Sequence, residues 1–86
     1  MDLHDYREQI DSIDEELLRL FKNRMDVSRQ IANYKKEHSL PILDPEREKE
    51  KLAAIYEKAD AELRPYVKKL YSTIFEISRA HQEGVV

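Results

Sequence analysis

Eighty-six residues with one Gly, three Pro and no Cys suit a single domain without the turn chemistry of an all-β fold and without disulfides or thiolate metal sites. Hydrophobic residues at 41% and charged residues at 38% fit amphipathic helices and are too apolar for disorder. A formal net charge of −3 leaves no basic footprint for nucleic acid, so an anionic ligand would need individually placed cations.

The stretch Met1-Asp2-Leu3-His4-Asp5 lacks the basic and apolar regions of a signal peptide. No apolar run approaches membrane-spanning length. The expected location is cytoplasmic, with no membrane partner.

Leu3, Tyr6, Ile10, Ile13, Leu17, Leu20, Arg24, Val27, Ile31 and Tyr34 step by three and four without a break. This heptad-like seam predicts one helix from about residue 3 to about residue 37. No Pro or Gly interrupts it before Pro41. At 1.5 Å per residue such a helix spans roughly 50 Å, against about 30 Å for the diameter of a compact chain of this length. The helix overshoots its own domain, and a second chain covering the protruding half is the simplest remedy. An intertwined homodimer is expected.

His38 to Leu43 reads as a loop, because Pro41 disfavours helix at Leu40. Asp44-Pro45-Glu46 then reads as a helix start, with Asp44 as cap, Pro45 in the first turn and Glu46 complementing the dipole. The second helix is expected over 45–59, with Leu52, Ile55, Tyr56 and Ala59 inward. A break near Asp60 to Arg64 precedes Pro65. The third helix is expected over 65–82, carrying Val67, Leu70, Tyr71, Ile74, Phe75 and Ile77 and ending before Gly84. The fold class is all-α, with three helices per chain.

Polar residues at core positions mark candidate sites. Arg24 sits on the apolar seam, where it either snorkels, pairs with a carboxylate or binds a ligand. Ser28 and Lys35 share its face, and Lys35 lies roughly 16 Å along the axis from it. That spacing lets two long side chains grip a small anion, although Lys35 also suits an ordinary solvated helix end. Arg7 lies roughly 25 Å from Arg24, beyond the reach of one small ligand on one helix. A surface pair with Asp11 is its simpler role, and an antiparallel partner helix is the alternative.

Glu48 continues the inner stripe of the second helix and equally suits its first turn. Arg47 either faces inward or pairs with a neighbouring Glu. Asp44 is at least the cap. Ser78 and Gln82 extend an apolar line of the third helix, and a buried Gln needs partners on both its oxygen and its nitrogen. His4, His38 and His81 lack metal-ligand spacing, so no metal is expected. No Ser-His-Asp set, Cys-His set or Gly-rich phosphate loop is present. Chemistry on this chain would run on positioning and electrostatics.

Together these residues resemble the AroQ class of chorismate mutases. The matching stretches are Leu3 to Asp14, Leu17-Leu18 through Arg24-Met25, Ile31-Ala32-Asn33-Tyr34-Lys35, Leu40 to Glu48, and Ile77-Ser78-Arg79-Ala80-His81-Gln82. They cover nearly the whole chain. The specific features are Arg47-Glu48 after a Pro-containing loop and the Ser-x-x-x-Gln ending. The stretch Ala59 to Arg64 departs from the pattern, lacking the glycine often found between the second and third helices.

The resemblance implies a six-helix dimer with intertwined first helices. It implies rearrangement of chorismate to prephenate without a cofactor. By motif, Arg24 would bind a substrate carboxylate in its own chain, and Arg7 would bind one in the partner's site. Lys35 and Gln82 would donate to the ether oxygen. Glu48 would accept from the ring hydroxyl, assisted by the backbone near Asp44. Ser78 would bind a carboxylate, and Arg47 would supply a further cation. Gln rather than Glu at position 82 implies activity without an acid requirement. Two other readings share the seam: an isochorismate-pyruvate lyase of the same fold, and a non-catalytic helical dimerisation module.

Overall fold

A computed structural model describes residues 1–85, with side chains through Gly84. The described residues form α1 (Leu3–Glu37), α2 (Pro45–Lys58), a 3-10 turn (Ala61–Leu63) and α3 (Arg64–Val85). None of the helices is long and apolar enough to cross a membrane.

Helix α1 is started by a reciprocal box. The Asp2 carboxylate accepts from the Asp5 amide at 3.0 Å, and the Asp5 carboxylate accepts from the Asp2 amide at 3.0 Å. Both satisfy first-turn amides that lack intrahelical partners. The helix ends in a Schellman arrangement. The Ser39 amide donates to Lys36 O at 3.3 Å and the Leu40 amide to Lys35 O at 2.8 Å, with Ser39 at φ 55°. A serine thus holds the left-handed position that usually takes Gly.

Helix α2 starts as its sequence dictates: the Asp44 carboxylate accepts from the Arg47 amide at 3.1 Å, and Pro45 opens the first turn. Its far end explains the missing glycine. Arg64 Nε donates to Tyr56 O at 3.1 Å and to Ala59 O at 3.3 Å, and the guanidinium carbon lies 5.3 Å from the Tyr56 ring centroid. A side chain from α3 therefore satisfies the Tyr56 carbonyl, which a left-handed glycine turn would otherwise serve, and the cap carbonyl of Ala59 as well.

Helix α3 starts at Arg64, one residue before the expected proline, and continues through Gly84 rather than stopping before it. Gly84 has no positive φ, so it acts as an ordinary last-turn residue and not as a left-handed cap.

Helix α3 packs against both α1 and α2, while α1 and α2 do not pack on each other among the described residues. The result is an elongated molecule of 54 × 26 × 15 Å. Its radius of gyration is 16.0 Å, against about 12 Å for a compact chain of this length. It exposes 7122 Å², against about 5,400 Å² for a compact monomer of its mass. Leu3, Tyr6, Ile10, Ile13, Leu17 and Leu20 on the N-terminal half of α1 are each more than half exposed. The buried centre, Ser28, Ala32, Phe75 and Gln82, lies where the C-terminal halves of α1 and α3 meet.

Candidate active site

The same meeting place holds a cavity of about 460 Å³. That volume falls within the usual range for small-molecule sites. Its wall includes Arg24, Ser28 and Lys35 from α1, Ile42 and Asp44 from the loop, Arg47, Glu48 and Lys51 from α2, and Phe75, Ser78, Arg79 and Gln82 from α3. Five basic and two acidic side chains leave a formal excess of three positive charges in the wall of an acidic protein.

The polar side chains are held across helix boundaries. Arg24 Nη1 donates to Ser78 Oγ at 2.7 Å, and its guanidinium carbon lies 5.9 Å from the Phe75 ring centroid. Ring and hydroxyl fix a half-buried cation that would otherwise be free to swing. Lys35 Nζ donates to Ile42 O at 2.7 Å. With the Leu40 amide on the Lys35 carbonyl, this residue pins the α1–α2 loop at two points.

Gln82, 7% exposed, donates from Nε2 to the Ser28 carbonyl at 3.0 Å. Ser28 is 4% exposed, and its Oγ has no hydrogen-bond partner among the described residues. Arg79 Nη1 donates to Glu48 Oε1 in a partly buried ion pair joining α3 to α2. That hydrogen bond raises the Arg79 guanidinium further above its ordinary value, against the opposing effect of burial, so Arg79 stays charged.

Of the eight residues expected from the sequence, seven line this cavity: Arg24, Lys35, Asp44, Arg47, Glu48, Ser78 and Gln82. Arg7 does not. It is exposed on the N-terminal half of α1, and it makes no ion pair with Asp11 or any other group among the described residues.

Arg79 and Lys51 are wall residues that sequence reasoning passed over. Arg79 follows Phe75 by four positions and precedes Gln82 by three, so the neighbouring helical line would have found it. Lys51 lies three and four positions after Glu48 and Arg47, on the same face of α2. No cluster of potential metal ligands occurs among the described residues.

The family model described as chorismate mutase type II matches residues 6–83. The chain belongs to that family. It is 48% identical over 46 residues to the T-protein of Haemophilus influenzae, covering 54% of this chain and 12% of that protein. It is 44% identical over 57 residues to the bifunctional chorismate mutase/prephenate dehydratase of Aquifex aeolicus, covering 66% of this chain and 15% of that protein. It is 40% identical over 47 residues to the chorismate mutase of Methanocaldococcus jannaschii, covering 55% of this chain and 48% of that protein. The matches thus span about half or less of those relatives' length. No solved structure matches the chain. For a chain of this family, the cationic cavity between α1, α2 and α3 is the candidate active site.

Proposed function

We propose that this chain is a chorismate mutase that rearranges chorismate to prephenate in phenylalanine and tyrosine biosynthesis, acting as a cytoplasmic, cofactor-free homodimer. The observation that carries the reading is the cavity wall, where Arg24, Lys35, Glu48, Ser78 and Gln82 converge with an excess of positive charge.

The substrate is a dianion, and moving it from water into a cavity needs cations to offset its desolvation. Arg24 binds one carboxylate with the planar fork that suits it, beside the Ser78 hydroxyl. Arg47 adds positive charge at the start of α2. Lys35 has three donors, and one is committed to Ile42 O. Gln82 has two amide hydrogens, and one is committed to Ser28 O. Each therefore keeps a donor for the ether oxygen, where negative charge develops as its bond to carbon breaks. Glu48 accepts from the ring hydroxyl, with the backbone at Asp44 beside it. The remaining acceleration comes from holding the substrate in its compact, reactive conformer.

Arg7 completes the site from the partner chain, with the first helices of the two chains intertwined. Two observations support this. The apolar stripe on the N-terminal half of α1 is uncovered in the single chain. Arg7 lies on that same half, outside its own chain's cavity.

The test is turnover measured beside sedimentation of the same sample. Prephenate from chorismate by a dimer is the expected result. Pyruvate from isochorismate without prephenate from chorismate would assign the lyase reaction instead. A helical dimer that turns over neither compound would leave an interaction module.

A further inference from the structure

The wall contains one ion pair whose two members come from different helices, Glu48 on α2 and Arg79 on α3. Both side chains line the cavity and are partly buried. Helix α2 does not pack on α1 among the described residues, so its placement beside the α1 cations depends on α3 and on the loop that Lys35 holds. Four cations, Arg24, Lys35, Arg47 and Lys51, share the wall with Glu48. A carboxylate free to rotate there would fold onto one of them, neutralising a charge meant for the ligand and occupying its space.

We infer that Arg79 is a positioning residue that acts through Glu48. It engages Oε1, keeps the carboxylate off the substrate-binding cations, and leaves Oε2 to accept a hydrogen bond from a ligand hydroxyl. Oε2 makes no hydrogen bond among the described residues. The pair also cancels the one carboxylate that would repel an incoming dianion alongside the capping Asp44. Specificity for a hydroxylated dianion over an unhydroxylated one then rests on this pair, because an anchored acceptor left unpaired penalises the wrong ligand. The inference rests on the mutase reading above.

A double-mutant cycle tests it, with prephenate formation measured over a range of chorismate concentrations. The four proteins are wild type, Glu48→Gln, Arg79→Gln and the double variant, each checked for helix content and assembly state. In the wild-type background, Arg79→Gln should lower kcat/KM by about tenfold or more, partly through a raised KM. In the Glu48→Gln background the same change should cost about twofold or less.

Additive losses would mean that Arg79 contacts the substrate itself or acts independently, and would overturn the inference. So would an Arg79→Gln protein as active as wild type. Where Arg79→Gln fails to fold, the cycle run with Arg79→Lys, which keeps the charge but loses the fork, decides by the same coupling. A wild type without mutase turnover overturns the mutase reading and this inference together. An active wild type with additive losses overturns the inference alone.

Discussion

The Gln82 side chain donates to the main-chain carbonyl of Ser28 at 3.0 Å, tying α3 to the C-terminal half of α1 at the buried centre of the molecule. That bond fixes the amide and leaves its second hydrogen for a ligand.

A carboxyl group in place of this amide would donate only when protonated. Gln82→Glu should therefore lose about a hundredfold in kcat/KM at neutral pH, equivalent to about 3 kcal/mol of transition-state stabilisation. Activity should return only in part on acidification, because a protonated carboxyl carries a single hydrogen that the Ser28 carbonyl and the ligand oxygen must share. Burial and the facing Ser28 carbonyl disfavour the ionised form while the cations of the wall favour it, so recovery should set in on the acid side of neutral. The wild type, with no group to protonate at this position, should show no acid requirement. A kcat/KM profile against pH for both proteins checks this, and a wild type active only in acid would contradict it.

The course of α1 was legible because ten residues kept one three-four pattern with no Gly or Pro among them, and the helix runs Leu3–Glu37. The wall positions Arg24, Lys35, Glu48, Ser78 and Gln82 were legible as polar interruptions of apolar lines. Arg79 was passed over because it lies one position off the line traced through Ser78 and Gln82; the neighbouring line through Phe75 marks it as a wall position, but only the fold brings Glu48 to it. The α2–α3 corner was equally opaque. Its cap is a side chain supplied from beyond the break, so no local glycine announced it. Ser39 in a left-handed conformation carries no compositional signal either.

Arg64 should matter to stability rather than to catalysis. It lies outside the cavity wall and serves the carbonyls of Tyr56 and Ala59. Arg64→Ala should destabilise the protein by about 1–2 kcal/mol, since charged donors to helix-end carbonyls are lost. Arg64→Lys should recover part of the loss. Denaturant unfolding at a fixed protein concentration measures both, and kcat/KM of the folded variants should stay close to wild type.

Leu17 should report on association. It is 57% exposed in the single chain, so a charge there costs the isolated fold little, within about 0.5 kcal/mol. Buried between two chains, the same charge lacks a partner and is strongly unfavourable. Leu17→Lys should keep its helical circular dichroism per chain better than its assembly, shifting sedimentation toward monomer and losing turnover in parallel. A variant that remains dimeric would remove the α1 stripe from the interface.

The central claim is a site shared between chains, and complementation between two inactive variants tests it most directly. Arg7→Ala and Arg24→Ala should each lose most activity as pure proteins. Refolded together in equal amounts, half of the dimers are mixed, and each mixed dimer carries one intact site, Arg24 from one chain with Arg7 from the other. The mixture should recover about a quarter of wild-type activity per site. A mixture no more active than its components would place Arg7 in its own chain's site or in none, and would contradict the account.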